Sequence, residues 1–243
     1  MHRLLVESAE LESDLPALPK GALNHLKVLR PKDGEEIELF DGMGKWRVYR
    51  YVGATQKLQS VDLHSHLAPP PSPLTLFACV TKGSRWDWTI EKATELGVTR
   101  IVPVISARTI VRIEAKEREV KQERWLRICE DAARQSDAKW LPEVLAPVTF
   151  AESLALVKKT SCLVGALTSP PPRLIGEVLS GSRFASSCLS IFVGPEGDFT
   201  PDELASLLAI ATPVSFGSTI LRAETAAIYG ISAIKTFLDV SAR

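Results

Sequence analysis

Residues 68–73 read Ala-Pro-Pro-Pro-Ser-Pro, four prolines in six positions. Each proline fixes φ and lacks an amide hydrogen, so neither a helix nor the interior of a sheet runs through such a segment. An extended, semi-rigid linker is the local structure it favours. The chain is therefore expected to fold as two bodies: a small one over 1–67, a linker over 68–73, and a larger one over 74–243.

The two sides have different rhythms. Upstream, Ile37-Glu38-Leu39-Phe40 reads as a strand, Asp41-Gly42-Met43-Gly44 as a hairpin turn and Trp46-Arg47-Val48-Tyr49 as the returning strand. Leu58–Leu63 alternates again, and Asn24–Leu29 forms a short apolar-periodic helical turn. These elements suit a small β-barrel. Downstream, strand-like runs at Leu74–Val80, Ile101–Ile105, Cys162–Leu167, Leu189–Val193 and Val214–Phe216 alternate with helical stretches. The helical stretches are Trp86–Leu96, Glu117–Gln135, Pro201–Ala209 and Arg222–Leu238. Such alternation implies βαβ crossovers and a mostly parallel sheet, an α/β class. The last helix is apolar almost all round, which places it in a core or against a second subunit.

Composition excludes several classes. No run approaches the roughly 20 apolar residues that span a bilayer, and the N-terminal MHRLLVESAELES turns acidic too early for a signal peptide. The four cysteines are far apart with no CxxC pair, which fits a reducing cytoplasm rather than a disulfide framework or a zinc site. His64 and His66 share a strand face without a third ligand nearby, so no metal is expected. Neither a GxGxxG nor a GxxxxGK[ST] phosphate loop occurs, and there is no GxSxG elbow. Formal net charge is zero, so any contact with RNA rests on local patches.

The chemistry is concentrated in three loops. Ligands of open parallel sheets sit beyond the carboxyl ends of the strands. Three late strands end in Gly165-Ala-Leu-Thr-Ser-Pro170, Gly194-Pro-Glu-Gly197 and Phe216-Gly-Ser-Thr-Ile-Leu-Arg222. Glycine allows close backbone approach to a ligand and permits positive φ. Plain strand punctuation is the alternative for any one loop; three in succession favour a binding site.

Two of these loops carry a resemblance. "VGPEGDFTPDEL" (193–204) followed by "FGSTILRAETAAI" (216–228) resembles the paired signature of the 16S ribosomal RNA uridine-N3 methyltransferases of the SPOUT superfamily. "NHLKVLRPKDGEEIELFDG" (24–42), "KGSRWDWTIEKATELGV" (82–98) and "RWLRICEDAARQSDAKWLPEV" (124–144) are similar to further segments of that family, so the likeness covers the whole chain. It implies a PUA-like N-terminal barrel and a C-terminal parallel α/β domain with a deep trefoil knot, a rare exception to chain topology. It also implies bound S-adenosylmethionine, a homodimer packed through the knotted domain, cytoplasmic location and 16S ribosomal RNA of the small subunit as substrate.

Carried over residue by residue, the resemblance assigns cofactor contacts to Leu167, Gly194, Pro195, Glu196, Gly197, Phe216, Gly217, Ile220, Leu221, Arg222 and Thr225. Arg222, Glu196 and Glu224 are its candidates for charge stabilisation and proton transfer. RNA contacts are expected from Arg3, His25, Lys27, Arg30, Arg47 and Arg50 in the small body and from Lys82, Arg85 and Lys92 beside the catalytic face. Glu35, Glu36 and Glu38 interrupt the small body's basic run. The chain departs from the family pattern at Asp198, where a second glycine is usual and an aspartate can cap the following helix. It departs again at Asp137-Ala138 for Gly-Arg, with Lys139 as a partial substitute, and at Ser218-Thr219 for Pro-Arg. These departures keep open a non-catalytic RNA-binding or assembly protein, or a methyltransferase of another RNA position, as alternatives.

Overall fold

The computed structural model describes residues 1–69, 71–157, 161–181 and 188–241; Pro70 of the expected linker lies outside them. The chain forms two compact units, one of residues 1–71 with 130–141 and one of 72–129 with 142–243. The first unit thus takes in a segment that the sequence reading left wholly in the second.

The first unit contains strands β1 (His2–Leu5), β2 (Glu36–Phe40), β3 (Lys45–Val52), β4 (Lys57–Ser60) and β5 (His66–Leu67), with helix α1 (Lys20–Leu29). β1 and β2 are parallel, β2, β3 and β4 antiparallel, and β5 pairs with the start of β3. Asp41 builds the β2–β3 turn: its Oδ1 accepts from the amides of Met43 (2.7 Å) and Lys45 (3.0 Å). Gly42 and Gly44 supply the positive φ the turn needs. Leu4, Leu11, Ile37, Leu39, Tyr49 and Leu58, with Ala22 and Leu26 of α1, make the core. Segment 130–141 docks on the turn, where the amide of Leu141 donates to Gly42 O (2.8 Å) and that of Gly44 to Lys139 O (2.9 Å).

The second unit contains β6 (Leu74–Cys79), α2 (Ser84–Glu95), β7 (Arg100–Ile105), most of α3 (Arg118–Ser136), β8 (Glu143–Val144), β9 (Val148–Thr149), α4 (Phe150–Ala155), β10 (Ser161–Gly165), α5 (Ile175–Leu179), β11 (Leu189–Val193), α6 (Pro201–Leu208), β12 (Thr212–Val214) and α7 (Ala223–Ser241). Its sheet is parallel throughout, in the order β12-β10-β11-β6-β7-β8, with β9 also on β7. One face is covered by a cluster in which Phe77 stacks on Phe192 at 4.4 Å, joined by Phe199 and Leu207. On the other face α7 crosses β6 and β11. Gly230 makes that crossing close, since a Cβ there would stand 2.5 Å from Ile191 Cδ1. Among the described residues no helix is long and apolar enough to cross a membrane.

Candidate active site

The carboxyl ends of β10, β11 and β12 lie side by side, because these are neighbouring strands of the sheet. The loops that leave them enclose a cavity of about 290 Å³, at the small end of the roughly 300–1,000 Å³ of ligand clefts. Val193, Leu167, Phe216, Ile220 and Leu221 supply apolar walls, while Glu196, Asp198 and Arg222 bring charge to it.

Glycine shapes this space. A Cβ on Gly165 would fall 2.5 Å from Phe216 Cε2, so the Phe216 ring lies against bare backbone. Gly217 holds φ +119°, a conformation that side-chain-bearing residues rarely adopt. On Gly194 a Cβ would meet Asp198 Oδ1 at 3.0 Å and the Phe199 ring at 3.3 Å. Backbone is exposed to the cavity at each turn, which fits a ligand held largely by main-chain groups.

The loop after β11 is fixed from outside the cavity. Thr200 caps α6, its Oγ1 accepting from the Glu203 amide at 3.2 Å, and Glu203 Oε2 accepts in return from the Thr200 amide at 2.9 Å. The other Glu203 oxygen accepts from the Ala107 amide at 2.8 Å, and Arg108 Nη1 donates to Gly197 O at 2.8 Å. Asp198 is not the helix cap that its position suggested; it sits in the left-handed region at φ +58° and accepts from the Phe199 amide. An aspartate tolerates that region better than most residues, so it takes the place of a glycine without disturbing the turn.

Of the eleven carried-over cofactor positions, Leu167, Gly194, Pro195, Glu196, Phe216, Gly217, Ile220, Leu221 and Arg222 line the cavity. Gly197 does not, its carbonyl being turned to Arg108, and Thr225 borders an adjacent groove instead. Sequence reasoning missed Ala166, Val214, Ser215, Ala223 and Ala226 as lining residues. Their only signal was adjacency to the glycine loops. Arg85 links the charged candidates: its Nη1 is 3.4 Å from Glu196 Oε1 and its Nε 3.9 Å from Glu224 Oε1. Arg222 lines the cavity and makes no ion pair among the described residues.

The proposed RNA cations separate sharply. Arg3 is buried, with Nε 2.7 Å from Glu38, Nη1 on Ala133 O (2.5 Å) and Nη2 on Ala138 O (3.1 Å). Arg47 is equally buried, bonded to Asp14 (2.7 Å) and to the carbonyls of Asp62 and Leu11. Both therefore leave the RNA-facing set, because each guanidinium is buried and already bonded within its own unit. Glu38 is buried too, and Lys139 donates to both of its oxygens at 2.5 and 2.6 Å and to Asp137 at 2.9 Å. Lys139 thus replaces no RNA-contacting arginine; it completes an internal charge cluster. The Lys139 ammonium in turn holds the Asp137 carboxyl below its usual value. Lys92 lies between Glu91 and Glu95, whose hydrogen bonds raise its pKa and offset its charge. Lys27, Arg30, Arg50, Lys82 and Arg85 are exposed and His25 is half-buried.

Comparison with known proteins decides the family. Residues 68–235 match the model of an RNA methyltransferase domain, and 18–59 that of an RNA methyltransferase PUA domain. The chain belongs to the RNA methyltransferase family. Members similar to it include the ribosomal RNA small subunit methyltransferase E of Synechocystis sp., 34% identical over 98% of this chain and 78% of that one. The enzyme of the same name from Aquifex aeolicus is 28% identical over 95% and 98% of the two chains. Among solved structures, the Neisseria gonorrhoeae ribosomal RNA small subunit methyltransferase E bound to S-adenosyl methionine superposes with a TM-score of 0.83, at 30% identity and 97% coverage of both chains. The family membership and the α/β parallel-sheet fold with its PUA domain are those that the sequence motifs implied.

Proposed function

We propose that this RNA methyltransferase transfers a methyl group from S-adenosylmethionine to N3 of one uridine in 16S ribosomal RNA. The observation that carries the reading is the backbone-lined cavity formed by the three loops at the ends of β10, β11 and β12. Its walls fit the cofactor: bare glycine backbone and Phe216, Ile220 and Leu221 suit a flat purine, and charged groups at the rim suit the polar portions. The family relative with S-adenosyl methionine bound supports the same reading.

When bound, S-adenosylmethionine supplies an electrophilic methyl carbon and a neutral thioether leaving group. The protein's part is positioning and charge. Uridine N3 carries a proton and sits on the pairing edge, so the base must be unstacked before it reacts. Arg222 stabilises the anion that forms as this proton leaves, and Glu196 or Glu224 accepts the proton. The apolar loop residues exclude water and hold the reacting atoms in line.

The same reading includes a knotted C-terminal domain, a cytoplasmic homodimer and no resident metal. Support for the dimer is the apolar α7, which leaves Tyr229 and Val240 exposed beside a groove lined by Leu179 and Phe237. RNA affinity rests on Lys27, Arg30, Arg50, Lys82 and Arg85 and falls with salt.

The test uses small subunits from cells lacking this protein, mixed with it and methyl-labelled S-adenosylmethionine, with the label located by nuclease mapping and mass spectrometry. Label at a single uridine N3 is the expected result. Cofactor binding without label would refute the substrate, and absence of both would restore the non-catalytic alternative.

A further inference from the structure

The segment that leaves the carboxyl end of β7 reads Ser106-Ala-Arg-Thr-Ile-Val-Arg112. It starts on the same side of the sheet as the loop after β11, since β7 and β11 flank β6 in parallel. Its first turn is closed: the Thr109 amide donates to Ser106 O at 3.1 Å and the Ser106 amide to Thr109 Oγ1 at 3.0 Å. Arg108 projects from this turn and lies along Gly197, where a Cβ would stand 3.5 Å from Arg108 Cβ and Cδ. Arg108 Nη1 donates to Gly197 O at 2.8 Å and to Phe199 O at 3.3 Å. Both acceptors are carbonyls, so these bonds leave the positive charge uncompensated. Elsewhere in the same unit Arg100, Arg118, Arg124, Arg173 and Lys235 each face a carboxylate. Arg108 and Arg112 are exposed and face none among the described residues, and Arg108 Nε and Nη2 make no hydrogen bond there.

We infer that Arg108, assisted by Arg112, grips a backbone phosphate of the RNA and ties that grip to the cofactor loop. The inference rests on the RNA-substrate reading above and adds to it a contact that also reaches the other ligand. A guanidinium carries five donors in a rigid plane, and its Nε–Nη2 edge is a fork that matches two phosphate oxygens. That edge of Arg108 is the free one, while Nη1 holds the loop. One side chain thus serves both at once. The phosphate supplies the missing counter-charge and fixes the exposed arginine, and with it the carbonyls of Gly197 and Phe199. Those carbonyls belong to the turn whose earlier residues, Gly194, Pro195 and Glu196, wall the cofactor cavity. RNA and cofactor therefore order the same turn, and each tightens the other's binding by the same factor. Gly197, which does not line the cavity, has its use here: its bare Cα makes room for the Arg108 stem.

The experiment measures the Kd of unmethylated small subunits for the parent, R108A, R108K and R112A by filter binding across a salt series. Each series is run with and without saturating S-adenosylhomocysteine, which lacks the methyl group to be transferred. For the parent, saturation is expected to tighten subunit binding by about 5- to 150-fold, the usual range for coupled sites. R108A and R112A are each expected to bind subunits more weakly and to flatten the slope of log K against log salt by about 0.7. R112A keeps the parental coupling, because Arg112 has no bond to the cofactor loop among the described residues; R108A brings it to within about twofold of none. R108K retains the charge but not the fork, so it is expected to keep the parental slope and lose the coupling. Should R108A fail to fold, R108K decides alone on that same pattern. A slope or coupling in R108A like the parent's overturns the inference. So does R108K with parental coupling, R112A with none, or a parent that binds subunits without coupling. All of these leave the RNA-substrate reading standing, whereas a parent that neither binds nor labels small subunits overturns both.

Discussion

Arg222 and Gly165 act on the same cavity by opposite means, one through charge and one through the absence of a side chain. Replacing Arg222 with Ala removes the unpaired cation at the cavity. Transition-state contacts of this kind are worth roughly 10²–10³ in rate, so kcat should fall by about that factor, and cofactor binding should weaken as well because Arg222 lines the cavity; steady-state kinetics and calorimetry check the two effects. Gly165→Ala places a methyl group 2.5 Å from the Phe216 ring, which must swing into the space the ligand needs. Calorimetry should show cofactor binding weaker by about tenfold or more, in line with overpacking costs of roughly 1–3 kcal/mol. The glycine motifs made this site visible in the sequence. The bonding of Arg3 and Arg47 was not visible, because an arginine in a strand looks the same whether it faces water or a buried Glu38. Asp137 offers a pH test. Its carboxyl is held below the ordinary aspartate value by Lys139, so the stabilisation it provides is present above about pH 4 and disappears as pH falls through the lower native value. Asn at this position keeps the left-handed φ of +61° but cannot ionise. Denaturant melts should show Asp137→Asn less stable than the parent at neutral pH, with the gap closing as pH falls below the ordinary aspartate range.

Among the elements, α6 does more than its length suggests. Its capping box orders the turn that carries Gly194–Phe199, and Glu203 ties the same turn to the segment after β7 through Ala107. Thr200→Ala should cost about 1 kcal/mol in stability and should also weaken cofactor binding, because the cap and the cavity wall are consecutive. Differential scanning calorimetry and isothermal titration separate the two effects. Thr200-Pro-Asp-Glu203 was a readable helix start for the same reason that it works: each residue type suits one orphan amide or carbonyl. The long apolar runs of β6, β7, β10 and β11 were equally readable, since strands buried on both faces lack polar alternation. Two-residue β8 and β9 carry too little pattern to be read. β1 was missed because His2-Arg3-Leu4-Leu5 spends a charged residue inside the unit, which hydrophobic periodicity counts against a strand.

At the scale of the molecule, the first unit takes in residues 1–71 and the later segment 130–141, and the return of that segment was not legible in the sequence. Nothing in ARQSDAKWL announces that the carbonyls of Ala133 and Ala138 receive the buried Arg3 guanidinium, or that Lys139 pairs with Glu38. A fragment of residues 1–71 therefore keeps the Arg3–Glu38 pair but lacks Lys139, which pairs with the buried Glu38, and the carbonyls that receive Arg3. Breaking a buried ion pair costs about 3–5 kcal/mol, comparable to the whole stability of a small domain. Thermal melts followed by circular dichroism should show no cooperative transition for this fragment; a sharp melt would mean that the segment is dispensable.

That arrangement also sets a clock on synthesis. The first 71 residues leave the ribosome without the strip that completes them, and roughly seventy more must be translated before Leu141 appears. At about 5–20 residues per second the wait is on the order of 4–14 s. Through that interval residues 1–71 hold Arg3 and Glu38 without their later partners, and the unit they belong to is finished only after part of the other unit has been made.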